Sequence, residues 1–469
     1  RAAGRIGCDR RRRGLIVAPP LERVEAARDR ILAQIPGPLT AENVAVDAAL
    51  GRVTATPIHA AVTLPPWDNS AMDGYALVAS DVSGASEAAP IRLAVAGEVA
   101  AGTAATMAVT QGSALRIATG APLPAGADAV VPVEETTPLD AAGATGARGR
   151  DATGPLPAAV LVHEATPSGA NVRRAGSDVS AGDVVLEAGL GISPQAIAVI
   201  AGSGSPTVAV HRRPRVAVLA TGDEIRQAGE PLGPAGIPDA NGPGLRALAS
   251  AAGADVVDLG VSRDDLADAT ARLRSALDQG ADAIVVSGGV SVGPFDVVKA
   301  AFEAIGRIEL WRVAVQPGKP FVFGTAPRTA AGTAGGAGGE ARPVLLFGLP
   351  GNPVSTFVTF ELFVRPAIRR LAGRRSLFRD VDRGVLQDVA STSPGRRAFL
   401  RVTAHRDASG RVVRDDLGRV PLRLARGPAG QGSHVLSALA AADGLAVIPE
   451  EVLVHPAGGE VELWWLDRD

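Results

Sequence analysis

Between residues 215 and 371 the hydrophobic positions change period again and again, and each change marks an element. Short apolar runs at 216–220, 256–259, 283–286 and 344–347 predict strands. Between them the spacing is helical, around 245–252, over 295–305 and over 354–371, with a further strand near 308–315. Leu266, Ala269, Leu273 and Leu277 trace one apolar face of another helix, which Ser262 and Asp265 open as a capping pair and Gly280 ends. This alternation predicts a doubly wound, mostly parallel sheet with ligands at the carboxyl ends of its strands.

Outside this region the texture differs. Leu21, Val24, Ala27, Ile31 and Ile35 recur at helical spacing until Pro36-Gly37-Pro38 stops them, so a helix opens the ordered chain. From about 90 to 135, alternating segments such as 91–95 and 129–133 lie between Gly/Pro turns and predict a small β domain. Alternation returns after Arg374, at 398–402 and 461–465, and predicts a closing β-barrel-like domain. The aperiodic stretches 141–157 and 328–342 read as surface loops. The expected fold class is multidomain α/β plus β. Its parts are a disordered extension over 1–19, an N-terminal helical, elongated domain from 20–60 and 173–212, an inserted β domain over 61–172, the α/β domain over 213–373 and the closing domain over 374–469.

Composition narrows the function classes. Among 469 residues, 47 basic side chains meet 49 acidic ones, which leaves no cationic surplus for nonspecific nucleic-acid binding. The single cysteine, Cys8, excludes an intrachain disulfide and a Cys-based zinc site, and favours a reducing, cytoplasmic location. The arginines at 10–13 precede only a short apolar stretch before Pro19 and Pro20, too short for an export signal. No apolar run approaches the roughly 18 residues that cross a bilayer, so no membrane partner is expected. The six histidines show no ligand spacing and read as structural.

Three glycine-rich turns follow strands of the α/β region: Thr221-Gly222-Asp223-Glu224, Ser287-Gly288-Gly289-Val290-Ser291-Val292-Gly293, and Gly348-Leu349-Pro350-Gly351-Asn352-Pro353. Glycines admit an anion close to backbone N–H groups, and the following helix adds its positive end, so the second turn suits a phosphate. One such turn is more often a tight turn that needs glycine; three on one edge favour a site. Neither a P-loop nor a GxGxxG turn entered from a strand is present, which argues against ordinary kinases and dehydrogenases. Asp223, Glu224, Asp264 and Asp296 lie near the same edge and suit a divalent cation beside phosphate, or else serve as helix caps. Lys319 in QPGKP reads as a point charge for the anion or as a solvated turn lysine. The 65–75 segment concentrates polar, acidic and aromatic residues and reads equally as a connector or a site, and the adjacent Arg173 and Arg174 suit an anion or an exposed turn.

Taken together, PPWDNSAMDGYA (65–76), RIATGAPLPAGADAVV (116–131), NVRRAGSD (171–178), TGDE (221–224), SGGVSVGPFD (287–296), QPGKP (316–320), GLPGNPVS (348–355) and QGSH (431–434) occur in an order and spacing that resemble the molybdopterin molybdenumtransferases, from about residue 20 to 465. The resemblance implies an elongated homodimer of four-domain subunits that takes adenylylated molybdopterin and molybdate, inserts the metal at the dithiolene sulfurs and releases AMP with Mg²⁺. It implies roles for Asp68, Thr119, Asp178, Glu224, Asp264 and Asp296 in catalysis, with Glu224 and Asp296 on Mg²⁺. It implies substrate contacts at Arg173, Lys319, Arg401 and Ser433, beside those expected of Thr221, Gly222, Ser287, Gly288, Gly289, Ser291, Gly293, Pro350, Gly351 and Asn352. Where some members carry lysines, this chain has Arg312, which keeps the charge, and Gln316, which does not. Two alternatives share the α/β fold: a molybdopterin adenylyltransferase, which is otherwise an expected upstream partner, and a noncatalytic peptide-binding module.

Overall fold

The computed structural model describes residues 21–149, 154–289, 297–329, 342–425 and 430–466. The expected N-terminal extension, Cys8 and the second turn beyond Gly289, including Ser291, Gly293 and Asp296, lie outside them. The chain divides into two compact units, 43–210 and the combination of 1–42 with 211–469.

The 43–210 unit is built on a mixed sheet of six strands: β1 (Gly74–Leu77), β2 (Ile91–Val99), β3 (Ser113–Ile117), β4 (Ala129–Pro132), β5 (Thr136–Leu139) and β6 (Ala159–Val162), in the order β4-β1-β3-β2-β6-β5. Tyr75, Leu77, Leu93, Val131 and Val160 form its core. A helix, α2, spans Pro194–Gly202, with Ser193 accepting from the Ala196 amide and Pro194 in the first turn, where its missing N–H costs nothing.

The larger unit opens with α1 (Val24–Ala33), whose Val24, Ala27 and Ile31 are fully buried in one core with Val216, Phe347 and Leu371. The α/β sheet contains β7 (Arg215–Thr221), β8 (Asp255–Ser262), β9 (Ala283–Ser287), β10 (Arg307–Trp311), β11 (Val322–Ala326) and β12 (Val344–Leu349), ordered β8-β7-β9-β12-β11-β10. The three pairings among β8, β7, β9 and β12 are parallel, and the two that add β11 and β10 are antiparallel. Strand β11 went unforeseen. The 312–321 connection is shorter than the roughly dozen residues a parallel crossover needs, so β10 and β11 form a hairpin instead.

The helices α3 (Asn241–Ala251), α4 (Leu266–Asp278) and α5 (Val297–Ile305) stand where the periodicity puts them, and the last predicted helix runs on from α6 (Pro353–Thr359) into α7 (Arg365–Leu371) through a π-helical turn, Phe360–Val364. That turn buries Glu361, which Arg379 meets with two hydrogen bonds of 2.9 and 3.1 Å. The cap of α4 differs from expectation. Asp265 accepts from the Ala267 and Asp268 amides, while Ser262 still belongs to β8 and donates to the Asp268 carboxylate at 2.8 Å.

Five further strands, β13 (Val381–Leu386), β14 (Arg397–Ala404), β15 (Val420–Leu424), β16 (Gly444–Ile448) and β17 (Gly459–Trp465), close into a barrel because β14 pairs with both β15 and β16. Its interior holds Leu386, Leu400, Val402, Leu422, Ile448 and Leu463.

Candidate functional site

The parallel register sets Ala220 opposite Ser287 and Ser287 opposite Leu349, so the three glycine-rich turns leave the sheet side by side. Their contact is backbone on backbone. Gly288 has φ +98°, its amide donates to the Leu349 carbonyl at 3.1 Å, and a Cβ there would fall 2.4 Å from the Thr221 carbonyl oxygen. Only glycine meets both the conformation and the space. A Cβ on Gly351 would in turn rest 3.8 Å from the Gly288 Cα.

The turns open onto a cavity of about 1060 Å³, large enough for a pterin-sized ligand. Of the expected site residues, Thr221, Gly222, Glu224, Asp264, Ser287, Gly288, Gly289, Pro350, Gly351 and Asn352 line it. His434, read from the sequence as structural, lines it too. Asn241 was also missed: it donates at 2.8 Å to the Ser287 hydroxyl and at 2.7 Å to the Gly351 carbonyl. Its only sequence signal was an asparagine at a helix start, which ordinarily reads as a cap.

Glu224 and Asp264 lie on the acidic wall, where the Asp264 amide donates to Asp223 at 3.3 Å. Desolvation, and then the charges of Asp223 and Glu224, push the Asp264 carboxyl above the usual aspartate range. A divalent cation would relieve that repulsion, and these hard oxygen donors suit Mg²⁺, although the described residues alone assemble no three-ligand cluster. The sign is definite: the folded chain keeps the Asp264 proton to higher pH, so this group's contribution to stability declines as pH rises from the ordinary aspartate value through the raised one. Asp264→Asn therefore melts higher than the parent at pH 7, by a margin that shrinks toward pH 3.5, while its turnover falls. Equal melting differences at both pH values would disprove the charge argument.

Other predicted residues sit apart from the cavity lining. Lys319 immediately precedes the lining residue Pro320, and its carbonyl accepts from the Val313 amide at 3.2 Å. Arg312 has a left-handed backbone, φ +71°, which is costly for a non-glycine residue. Gln316 accepts from the Ser393 amide at 2.6 Å and so fastens the barrel domain to the α/β domain. Ser433 accepts from the Asn352 side chain at 3.0 Å and receives the Val354 amide on its carbonyl. Arg401 is 1% exposed, and its guanidinium donates to the Val435 and Gly432 carbonyls at 2.8 and 3.2 Å, holding the loop that carries Ser433 and His434.

Within the 43–210 unit, Asp68 binds the Arg174 guanidinium at 2.6 Å and the Ala175 amide at 2.8 Å. Those two hydrogen bonds, the amide's foremost, hold its carboxyl below the usual range. Arg173 pairs with Asn69 through a short antiparallel bridge, the Thr119 amide donates to Asp73 at 2.7 Å, and the Asp178 amide donates to the Leu64 carbonyl.

Three family models account for most of the chain: the MoeA N-terminal region (domain I and II) at 22–204, the probable molybdopterin binding domain at 217–370 and the MoeA C-terminal region (domain IV) at 383–466. The molybdopterin molybdenumtransferase 2 of Mycobacterium tuberculosis (strain CDC 1551 / Oshkosh) is 37% identical over 450 residues, covering 94% of this chain and 98% of that protein. This chain belongs to the molybdopterin molybdenumtransferase family. The Haemophilus influenzae molybdopterin molybdenumtransferase is 32% identical over 429 residues, 91% of this chain and 94% of that protein. A crystal structure of the molybdopterin biosynthesis MoeA protein from Pyrococcus horikosii, 29% identical, superposes with a TM-score of 0.73 over 95% of this chain and 99% of that one. The chain is accordingly an enzyme, a transferase of molybdenum cofactor biosynthesis. Among the described residues no helix is long and apolar enough to cross a membrane.

Proposed function

We propose that the chain inserts molybdenum from molybdate into adenylylated molybdopterin, with Mg²⁺-dependent release of AMP. The observation that carries this reading is the cavity at the strand carboxyl ends, where three glycine-rich turns meet the acidic wall of Glu224 and Asp264. The turns, assisted by Lys319, hold the phosphate and pterin end of the substrate through backbone N–H groups. Glu224 and Asp296, with Asp264 close by, would hold Mg²⁺, which offsets the pyrophosphate charge and stabilises the leaving AMP oxygen when bound. Arg173 and Arg312 attract the molybdate dianion, Asp68 and Asp178 orient its attack, and Thr119 contacts the substrate. Arg401 and Ser433 shape the edge of the site from the barrel domain. Water cleaves the phosphoanhydride to free AMP, and as the two dithiolene sulfurs bind molybdenum their thiol protons pass to one molybdate oxygen, which leaves as water.

The working form is a cytoplasmic homodimer in which one subunit's α/β domain faces its partner's N-terminal region, supplied by an upstream molybdopterin adenylyltransferase. Purified protein incubated with adenylylated molybdopterin, molybdate and Mg²⁺ should release AMP and yield cofactor that activates an apo-molybdoenzyme. ATP turnover with metal-free molybdopterin would assign the adenylyltransferase reaction instead, and neither reaction would leave a binding module. Glu224→Gln should lower AMP release at least about a hundredfold at saturating substrate, as loss of a residue aimed at developing charge does, with little change in melting temperature.

A further inference from the structure

Asn241 heads α3, yet it does not serve that helix. The N-cap residue is Ala240, which makes no side-chain cap, and the Gly242 amide is served by the Asp239 carboxylate at 2.8 Å. The Asn241 carboxamide instead spends its donors across the cavity floor, on the Ser287 hydroxyl in the second turn and the Gly351 carbonyl in the third. Ser287, 2% exposed, donates its own proton to the Pro350 carbonyl at 3.2 Å, and Thr356 donates to the same carbonyl at 2.5 Å. The result is one directed chain of hydrogen bonds from α3 through the second turn to the third.

We propose that Asn241 is a positioning residue that sets the separation of the second and third glycine-rich turns and thereby the width of the cradle for the phosphate-bearing end of the pterin. The inference rests on the proposed substrate. Two features single out asparagine. A primary amide presents two N–H donors in one plane, matching the two acceptors it meets, and it carries no charge. An aspartate of the same shape would aim carboxylate oxygens at the Gly351 carbonyl and add a negative charge to a cavity that already holds Glu224 and Asp264. Alanine would remove the link to Gly351 and leave the turns joined by their backbone contact and the Ser287–Pro350 hydrogen bond, and glutamine would place the same amide one methylene too far away.

The test uses the full chain and separates binding from turnover. Equilibrium binding of molybdopterin under anaerobic conditions should weaken about tenfold in Asn241→Ala and about a hundredfold in Asn241→Asp, the range expected when a buried hydrogen-bond partner is lost and when a charge is left uncompensated as well. KM for adenylylated molybdopterin should rise in parallel while kcat stays within about threefold, the mark of an effect on binding shared by ground and transition states. The losses from Asn241→Ala and Ser287→Ala should not add in the double variant, because both residues act through one chain of hydrogen bonds. Unchanged molybdopterin affinity in Asn241→Ala, a loss confined to kcat, or additive losses would each overturn the positioning role. A parent protein that binds molybdopterin but releases no AMP would defeat the functional reading while leaving the binding prediction standing. A fully active parent matched by Asn241→Ala would defeat only this inference.

Discussion

Asp282→Ala lowers the unfolding free energy by about 3–5 kcal/mol, the usual cost of removing one partner of a buried ion pair. Asp282 is 1% exposed at the entry to β9. Arg212 grips both its carboxylate oxygens at 2.8 and 2.9 Å, Arg328 reaches it at 2.6 Å, and the Arg215 amide donates at 2.8 Å. Alanine leaves two guanidinium groups facing each other with no anion between them. Burial by itself would raise the Asp282 carboxyl, but the Arg212 hydrogen bonds and charge, the Arg215 amide and the Arg328 charge outweigh it and hold the group below the usual aspartate range. A depressed carboxylate stabilises the fold above its unfolded value and loses that contribution as pH falls through the folded one. Urea denaturation should therefore show the full deficit at pH 7 and a smaller one as the medium is acidified below the ordinary aspartate range. A deficit under about 1 kcal/mol at pH 7 would show the cluster to be dispensable.

Gly288→Ala removes function while leaving most of the fold. The new Cβ would collide with the Thr221 carbonyl, in a backbone region that costs a non-glycine residue on the order of 1–3 kcal/mol, so the second turn must move away from the first. Because that turn donates to the Leu349 carbonyl and abuts Gly351, the displacement passes to the third turn and opens the cradle. KM for adenylylated molybdopterin should rise by about a hundredfold or more. A variant with parental KM would show that the turn does not touch the substrate.

Much of the α/β domain was legible because its signals are local. Buried strands and helix faces announce themselves by spacing, and Gly288 announced a close backbone approach before any neighbour was known. Residues whose work depends on distant partners gave no such sign. Asn241 meets Ser287 and Gly351, far along the chain, and nothing in its own neighbourhood singled it out. Of the adjacent Arg173 and Arg174, either suited an anion; successive residues of an extended chain point to opposite faces, and it is Arg174 that reaches Asp68. Helix α1 was correctly periodic, but its periodicity did not name the core it enters. That core includes α7 residues more than three hundred positions away.

The amino-acid sequence by itself determined the order of the α/β elements apart from β11, the glycine turns at the strand ends and, through the spread of its motifs, the family. Those features follow from backbone conformation and from side-chain period, which act over a few residues. The tertiary structure alone decided that β10 and β11 run as an antiparallel hairpin, that Gln316 and Ser433 tie the barrel to the α/β domain, and that Asn241 bridges two turns. Each of these depends on which donor meets which acceptor after the chain has closed on itself, and a hydrogen bond across a hundred residues leaves no period in the sequence.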